Sequence, residues 1–278
     1  MQAEQYALHA DIETRHWWFA ARRRIVKTLV EHLVPPAPTK VVIDVGCGTG
    51  ANVAALASSY ACRGMDASAA AIEHARARFP TVEFACEADF ARRADWLGEA
   101  DVVLLMDVLE HVEDDFLFLS RMLAPLKPGT QIVITVPADP RLWTPHDESF
   151  GHWRRYELAR LSATWSGLPV TQRLLSGYNA RLYPVIRAVR AVTSARGKAA
   201  GRAGTDFAMP PEFANRMLER FFAGECAALL KTLDRGRVAY KHGASSIAVL
   251  ERQSGAIAER VRPASIARDV HRPAAQAS

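Results

Sequence analysis

The chain of 278 residues contains only four cysteines, and no two of them form a CxxC pair. That excludes a cysteine-built metal centre and a disulfide framework. Cys47, Cys62, Cys86 and Cys226 instead read as buried small hydrophobes of a reducing compartment. No uninterrupted apolar run approaches the ~20 residues that cross a bilayer. The opening MQAEQYALHADIE is acidic where a signal peptide would be apolar, so a cytoplasmic location is expected. With 49% hydrophobic and 23% charged residues, the composition is that of an ordinary globular protein. Acidic residues are scarce in one region. Between Gly177 and Gly243 twelve Lys or Arg stand against five Asp or Glu, an excess larger than the net charge of +5 carried by the whole chain. Such a basic module suits an acidic substrate, an anionic membrane or nucleic acid, or is simply a solvated helical surface. Its aromatics, among them Phe213, Phe221 and Phe222, fall mostly at helix-core spacings, which disfavours nucleic acid.

Strand and helix signals alternate through the first half. Residues 14–34 read as a helix stopped by the prolines at 35, 36 and 38, and VVIDV at 41–45 as a β-branched strand with both faces covered. Further strands are expected at 61–65, 82–89, 101–107 and 130–138, with a Ser-capped helix at 68–79 and another at 114–126. This rhythm predicts an α/β fold with a doubly wound, mostly parallel sheet. VTQRLLSG at 170–177 and SSIAVLER at 245–252 suit two closing antiparallel strands, seven in all, and the long stretch between them is a helical insert before the last strand. The expected organisation is an N-terminal helical lid over 1–39, a domain over 40–252 with a basic insert or cap over 178–243, and a disordered tail over 253–278. Glycine-rich 195–206 reads as mobile. Within the insert, NARLYPVIRAVRAVTSA puts Leu182, Val185, Ile186, Val189 and Val192 on one side and Arg187 and Arg190 on the other. That pattern suits a cap over an acceptor pocket or a helix lying on an anionic membrane. PPEFANRMLERFFAGECAALLKTL is expected to form one helix that pairs with it.

The turn after the first strand, DVGCGTGA, satisfies two patterns at once. Gly46, Gly48 and Ala51 fit the dinucleotide fingerprint, which makes a nucleotide-dependent oxidoreductase the alternative reading. Asp44 speaks against it, because a carboxylate inside the turn repels a pyrophosphate, whereas it favours a ligand with an ammonium group and no phosphate. Residues 51–58 are expected to be a helix with its free N–H groups facing the turn.

VIDVGCGTG, GMDAS, EADF and LLMDVLEHVEDD, in this order and spacing, resemble the successive motifs of class I S-adenosylmethionine (SAM) methyltransferases across roughly Lys40 to Pro137. HWWFAARR, VPADPRLWTPHDESFGHWRRY and PPEFANRML resemble a bacterial subgroup of glycan, lipid and natural-product pathways. The resemblance implies the seven-stranded Rossmann-like methyltransferase sheet, SAM as cofactor, and methyl transfer to a small-molecule, lipid-linked or glycan-pathway acceptor. Asp44, Gly46, Cys47, Gly48 and Gly50 would neighbour the amino-acid part of SAM; Asp66, with Ala67 beside it, the ribose; Asp89 and Phe90 the adenine; and Met106, Asp107 and His111 the sulfonium side. Asp66 also suits helix capping, and Asp89 a loop cap. An oxygen acceptor needs a base, for which His111 is the first candidate and His146 the next, with Glu110 behind them. Trp18 and Arg22 are candidates for a lid over the acceptor, or for an aromatic staple. His152, Arg154, Arg155 and Tyr156 are candidates for acceptor contact, since guanidinium forks match carboxylate or phosphate; internal pairing is the other reading. His146 and His152 stand six apart, unlike HExxH, so zinc is not expected; Asp147 or Glu148 could hold a hard cation, but nothing in the sequence requires one, and no metal is assigned. A non-catalytic SAM- or RNA-binding protein is the remaining alternative, and the oligomeric state is not legible.

Overall fold

The structure, a computed structural model, describes residues 3–195 and 209–257. The disorder expected beyond residue 257 and the mobility expected over 196–206 fall outside the described residues. Helices α1 (Ala3–Ile12) and α2 (Trp17–Leu33) precede an alternating series. It runs β1 (Val41–Val45), α3 (Ala51–Ala54), β2 (Ala61–Asp66), α4 (Ala69–Arg78), β3 (Glu83–Cys86), α5 (Ala94–Glu99), β4 (Val102–Met106), α6 (Asp115–Leu123) and β5 (Gln131–Pro137). Then come α7 (Pro145–Ser149), α8 (Leu158–Ala163), β6 (Val170–Tyr178), α9 (Tyr183–Ala195), α10 (Glu212–Ala223), α11 (Cys226–Thr232) and β7 (Ser245–Arg252).

The seven strands form one sheet in the order β3-β2-β1-β4-β5-β7-β6. All pairs are parallel except those of β7, which runs antiparallel to both β5 and β6. This is the expected doubly wound, Rossmann-like arrangement, with strand order reversing between β1 and β4. All five residues of β4 are buried, as its unbroken VVLLM run requires of a central strand covered on both faces. One core layer gathers Ile43, Leu105, Phe116, Leu119 and Ile134; the other joins Ile25, Leu29 and Val30 of α2 to Val42, Leu104 and Phe222. Sheets of this kind hold ligands beyond the carboxyl ends of the strands at the reversal. The turns after β1, β2, β4 and β5 meet there.

Several elements depart from expectation. The segment 212–232 is two helices, broken at Gly224–Glu225. Its first half packs principally on α2 rather than on α9. Asn215 explains the preference: its Oδ1 accepts from the Trp17 amide at 2.8 Å and its Nδ2 donates to the Arg15 carbonyl at 2.8 Å. The helix after the glycine turn stops at Ala54 instead of running to 58, and α1 is an additional helix. Of the cysteines only Cys47 is buried, and Cys86 is exposed; all four are free.

Candidate functional site

A cavity of about 730 Å³ opens at the strand-order reversal, within the range of small-molecule sites. Its floor is the turn after β1. There the amides of Gly46 and Cys47 both donate to the Met65 carbonyl, at 2.8 and 3.0 Å, that of Gly48 to Asp66 Oδ2 at 2.9 Å, and that of Gly50 to the Cys47 carbonyl at 3.0 Å. None of these four is left to cradle a phosphate, and the α3 that follows has only four residues. Gly48 has φ +54°, and a Cβ on it would meet nothing within 4 Å, so it would project into open space. A Cβ on Gly46 would stand 2.6 Å from Val108 Cγ2. The backbone therefore comes bare to the cavity edge.

Asp44 lies beneath this turn, fully buried, and neither of its carboxylate oxygens has a hydrogen-bond partner. Burial raises its pKa to about 7; Arg22 pulls the other way, and Asp66 and Glu13 push it further up. A buried carboxylate without a partner is costly unless something cationic approaches. Unlike Asp44, Glu13 from the α1–α2 connection lines the cavity: it accepts from Thr49 Oγ1 at 2.7 Å and pairs with Arg78. Asp66 accepts from Gly48 and Ser68 amides, so it serves the turn and the α4 start while lining the cavity. Three carboxylates around a turn whose amides are engaged make a poor pyrophosphate site. They fit a nucleoside carrying an ammonium and a sulfonium group and no phosphate.

Of the residues singled out in the sequence, Trp18, Arg22, Gly46, Cys47, Gly48, Asp66, Ala67, Met106, Asp107, His111, His146, His152 and Arg155 line this one cavity. Gly50 does not: a Cβ there would press Phe84 at 2.8 Å. Asp89 caps the short turn Phe90–Arg93, accepting from the Ala91 amide at 3.2 Å, and Phe90 turns inward against Phe118, with centroids 4.8 Å apart. Arg154 and Tyr156 are also interior. Arg154 donates to the Val112 and Glu113 carbonyls, both at 2.6 Å, and the Tyr156 hydroxyl bonds Asp115 at 2.9 Å, so neither reaches an acceptor. Arg190, expected on the polar side of α9, lines the cavity and donates to the Leu142 carbonyl.

The far wall is aromatic and imidazole-rich. Arg22 lies 4.4 Å from the Trp18 ring centroid and pairs with Asp107, which also accepts from Thr135 Oγ1 at 3.1 Å and takes a left-handed φ of +58°. His146 stacks on Phe150 at 4.3 Å, and burial holds its pKa down at about 3. His111 sits edge-on to His152 at 4.7 Å, and burial together with that neighbour lowers its pKa to about 3 as well. His152 is oriented by Asp147, whose Oδ1 is 2.9 Å from Nδ1, and Asp147 is clamped by Arg155 at 2.8 Å. That guanidinium and the His152 contact outweigh burial, leaving the Asp147 carboxyl well below its usual range. With its pKa so lowered, the His111 imidazole is neutral at pH 7. Leu182, Val185, Ile186, Val189 and Leu218 complete an apolar mouth.

Sequence reasoning missed His9, Glu13, His16, Asn52, Phe150 and Asn179 as lining residues. A weak signal existed in His9, Glu13 and His16, which cluster just before the aromatic run, but only the fold shows that Glu13 reaches the glycine turn and the two histidines the cavity wall.

The family model described as "Methyltransferase domain" matches residues 15–170. A trans-aconitate 2-methyltransferase from Methylobacterium radiotolerans is 33% identical over 109 residues, covering 37% of this chain and 40% of the relative. Another of the same name, from Deinococcus radiodurans, is 31% identical over 114 residues, covering 40% and 43%. The chain thus spans less than half the length of these curated relatives. Among solved structures, the plantazolicin methyltransferase BpumL in complex with SAH superposes with a TM-score of 0.53 at 12% identity, covering 90% of each chain. The cyclase SpnF does so at 0.51 and 16%, covering 84% of this chain and 81% of its own. These two likenesses show the fold alone. Since the family model spans more than half of the sequence, over a Rossmann-like sheet with the acidic glycine turn in place, the chain belongs to the class I SAM-dependent methyltransferases.

Proposed function

We propose that this protein transfers the methyl group of SAM to an oxygen atom of a small-molecule or lipid-linked acceptor. When bound, SAM supplies an electrophilic methyl on a positively charged sulfur. The observation that carries the reading is Asp44, buried with both oxygens unpartnered beneath a turn whose amides are already satisfied. Glu13 and Asp66 in the lining, with Asp44 buried beneath it, give the amino and ribose ends their acidic surroundings, Gly46 to Gly48 and Ala67 the floor, and Met106 and Asp107 the side of the reacting carbon.

Most of the remaining work is alignment and exclusion of water. Trp18, His16 and Phe150 close the cavity around an acceptor, and the apolar residues of α9 and α10 receive its body. A hydroxyl acceptor is received at the His111–His152 end, where it gives up its proton. Two of the lining arginines are engaged, Arg22 by Asp107 and Arg155 by Asp147. Unlike an acceptor such as the trans-aconitate in the relatives' names, the favoured acceptor here is therefore uncharged where it meets them. A lipid-linked body finds support at the mouth. Val185, Val189 and Val192 on α9 and Phe213, Met217 and Phe221 on α10 are exposed, with Arg187, Arg216 and Arg220 on the same two helices. Apolar side chains among guanidiniums suit an anionic membrane surface. Among the described residues no helix is long and apolar enough to cross one.

Calorimetric titration with S-adenosylhomocysteine and with NADH tests the cofactor assignment. Saturable heat with the first and none with the second is expected. Heat with NADH alone would reverse the reading.

A further inference from the structure

We infer that Glu110, His111 and His152 form a divalent-metal site at the acceptor end of the cavity. The three residues come from two segments: the turn Leu109–His111 after β4, and the stretch after α7. The Trp153 amide donates to the Glu110 carbonyl at 2.7 Å and ties those segments together. One ligand atom from each of the three lies within 4.8 Å of the others, close enough for a single cation to draw in all of them. All three line the same cavity.

Glu110 is the decisive member. It is 1% exposed, its Oε2 has no hydrogen-bond partner, and it makes no ion pair among the described residues. The neighbouring carboxylates are already matched, Asp107 by Arg22 and Asp147 by Arg155. Glu110 is thus a buried acid aimed at two imidazoles, and a cation between them would meet its unfilled oxygen. His152 is also held as a ligand is held: its Nδ1 bonds Asp147, leaving Nε2 for the cavity. Second partners of this kind fix tautomer and ring direction in metal sites.

Two imidazoles and one carboxylate select a borderline cation such as Zn²⁺, Mn²⁺ or Co²⁺ over Mg²⁺ or Ca²⁺. Three protein ligands leave coordination positions facing the cavity. The inference rests on the proposed function in one respect: an acceptor oxygen entering such a position loses its proton more readily, to bulk water. The freed lone pair then forms the O–CH₃ bond as the S–CH₃ bond breaks, and the sulfonium becomes a neutral thioether. The site thereby favours acceptors that present an oxygen donor, and a hydroxyl above all.

The test uses the full chain, freed of any tag and dialysed against chelator. One Co²⁺ per chain should bind, with visible d–d absorption displaced by Zn²⁺. Glu110→Gln and His152→Ala should each weaken Zn²⁺ binding at least tenfold, while His74→Ala, outside the cavity, should not. Thermal melts confirm that each variant is folded, and S-adenosylhomocysteine binding measured on the same samples separates this inference from the cofactor assignment. Absence of Co²⁺ absorption, or equal Zn²⁺ affinity in wild type, Glu110→Gln and His152→Ala, would overturn the metal site even with cofactor binding intact.

Discussion

Replacing Asp44 by Asn should make the ligand-free protein more stable at pH 8 and a poorer binder of S-adenosylhomocysteine. The native pKa of about 7 stands above the ordinary 3.8, chiefly because of burial. Between those values the folded chain keeps a proton that the unfolded chain releases, so this residue favours the native state most below pH 3.8. That contribution disappears as pH rises through 7. The gap corresponds to about 4 kcal/mol of destabilisation in the ionised protein. An Asn amide removes that cost but leaves polar atoms unpaired, which costs about 1–3 kcal/mol. The net gain at pH 8 is therefore roughly 1–3 kcal/mol, and at pH 5, where wild-type Asp44 is protonated, it vanishes or reverses. Losing the charge opposite an ammonium group weakens binding by about 1.5–3 kcal/mol, or roughly ten- to a hundredfold. Wild-type affinity should itself fall as pH drops below 7, since the carboxylate must then shed its proton to receive the ligand. Denaturant melts of the ligand-free forms at pH 5 and 8, with calorimetry at pH 8, check both parts. The reasoning fails if Asp44→Asn shows the same stability difference from wild type at both pH values and binds S-adenosylhomocysteine unchanged.

Gly48→Ala should lose about 1–3 kcal/mol of stability, the ordinary cost of a left-handed non-glycine residue, and at least tenfold in S-adenosylhomocysteine affinity, because its methyl group would enter the cavity. Gly129→Ala is the control: φ is +90° there, a Cβ meets nothing within 4 Å, and the site is not lined by it; a melt should show a similar loss, and calorimetry no change in affinity. Phe213, 79% exposed, and Phe221 should seat α10 on anionic vesicles. Sedimentation with phosphatidylserine vesicles should be salt-sensitive in wild type and abolished in Phe213→Ser/Phe221→Ser, and equal pelleting of the two would remove the membrane from the account.

The sheet was legible because its strands announce themselves: VVIDV, DVVLLMD and TQIVITVPA are apolar runs too short and too β-branched for helices. Asp66, Gly46 and Gly48 were legible as cavity-lining residues because the ends of parallel strands are where this architecture keeps its ligands, whereas Gly50 packs on Phe84 instead. What escaped was decided by tertiary contact. Continuous apolar spacing hid the break at Gly224, and nothing local indicates that Glu13 reaches Thr49. Arg154 and Arg155 are adjacent letters with opposite fates, one donating into the turn before α6 and the other reaching the cavity. Which way each points depends on the extended stretch that adds the Ala138–Tyr156 bridge beside β5. The cluster of Glu110, His111 and His152 was invisible for a related reason, since forty residues and a strand separate two of its members from the third.

The double clasp of Asn215 on Arg15 and Trp17 joins positions about two hundred residues apart. During synthesis Trp17 and Arg15 lack this partner until the segment carrying Asn215, about two hundred residues later, has emerged. The sheet core through β5 can condense first, whereas the chamber receives its final wall late. The wall that Trp17 and Trp18 give the chamber thus leans on a contact made late in the chain.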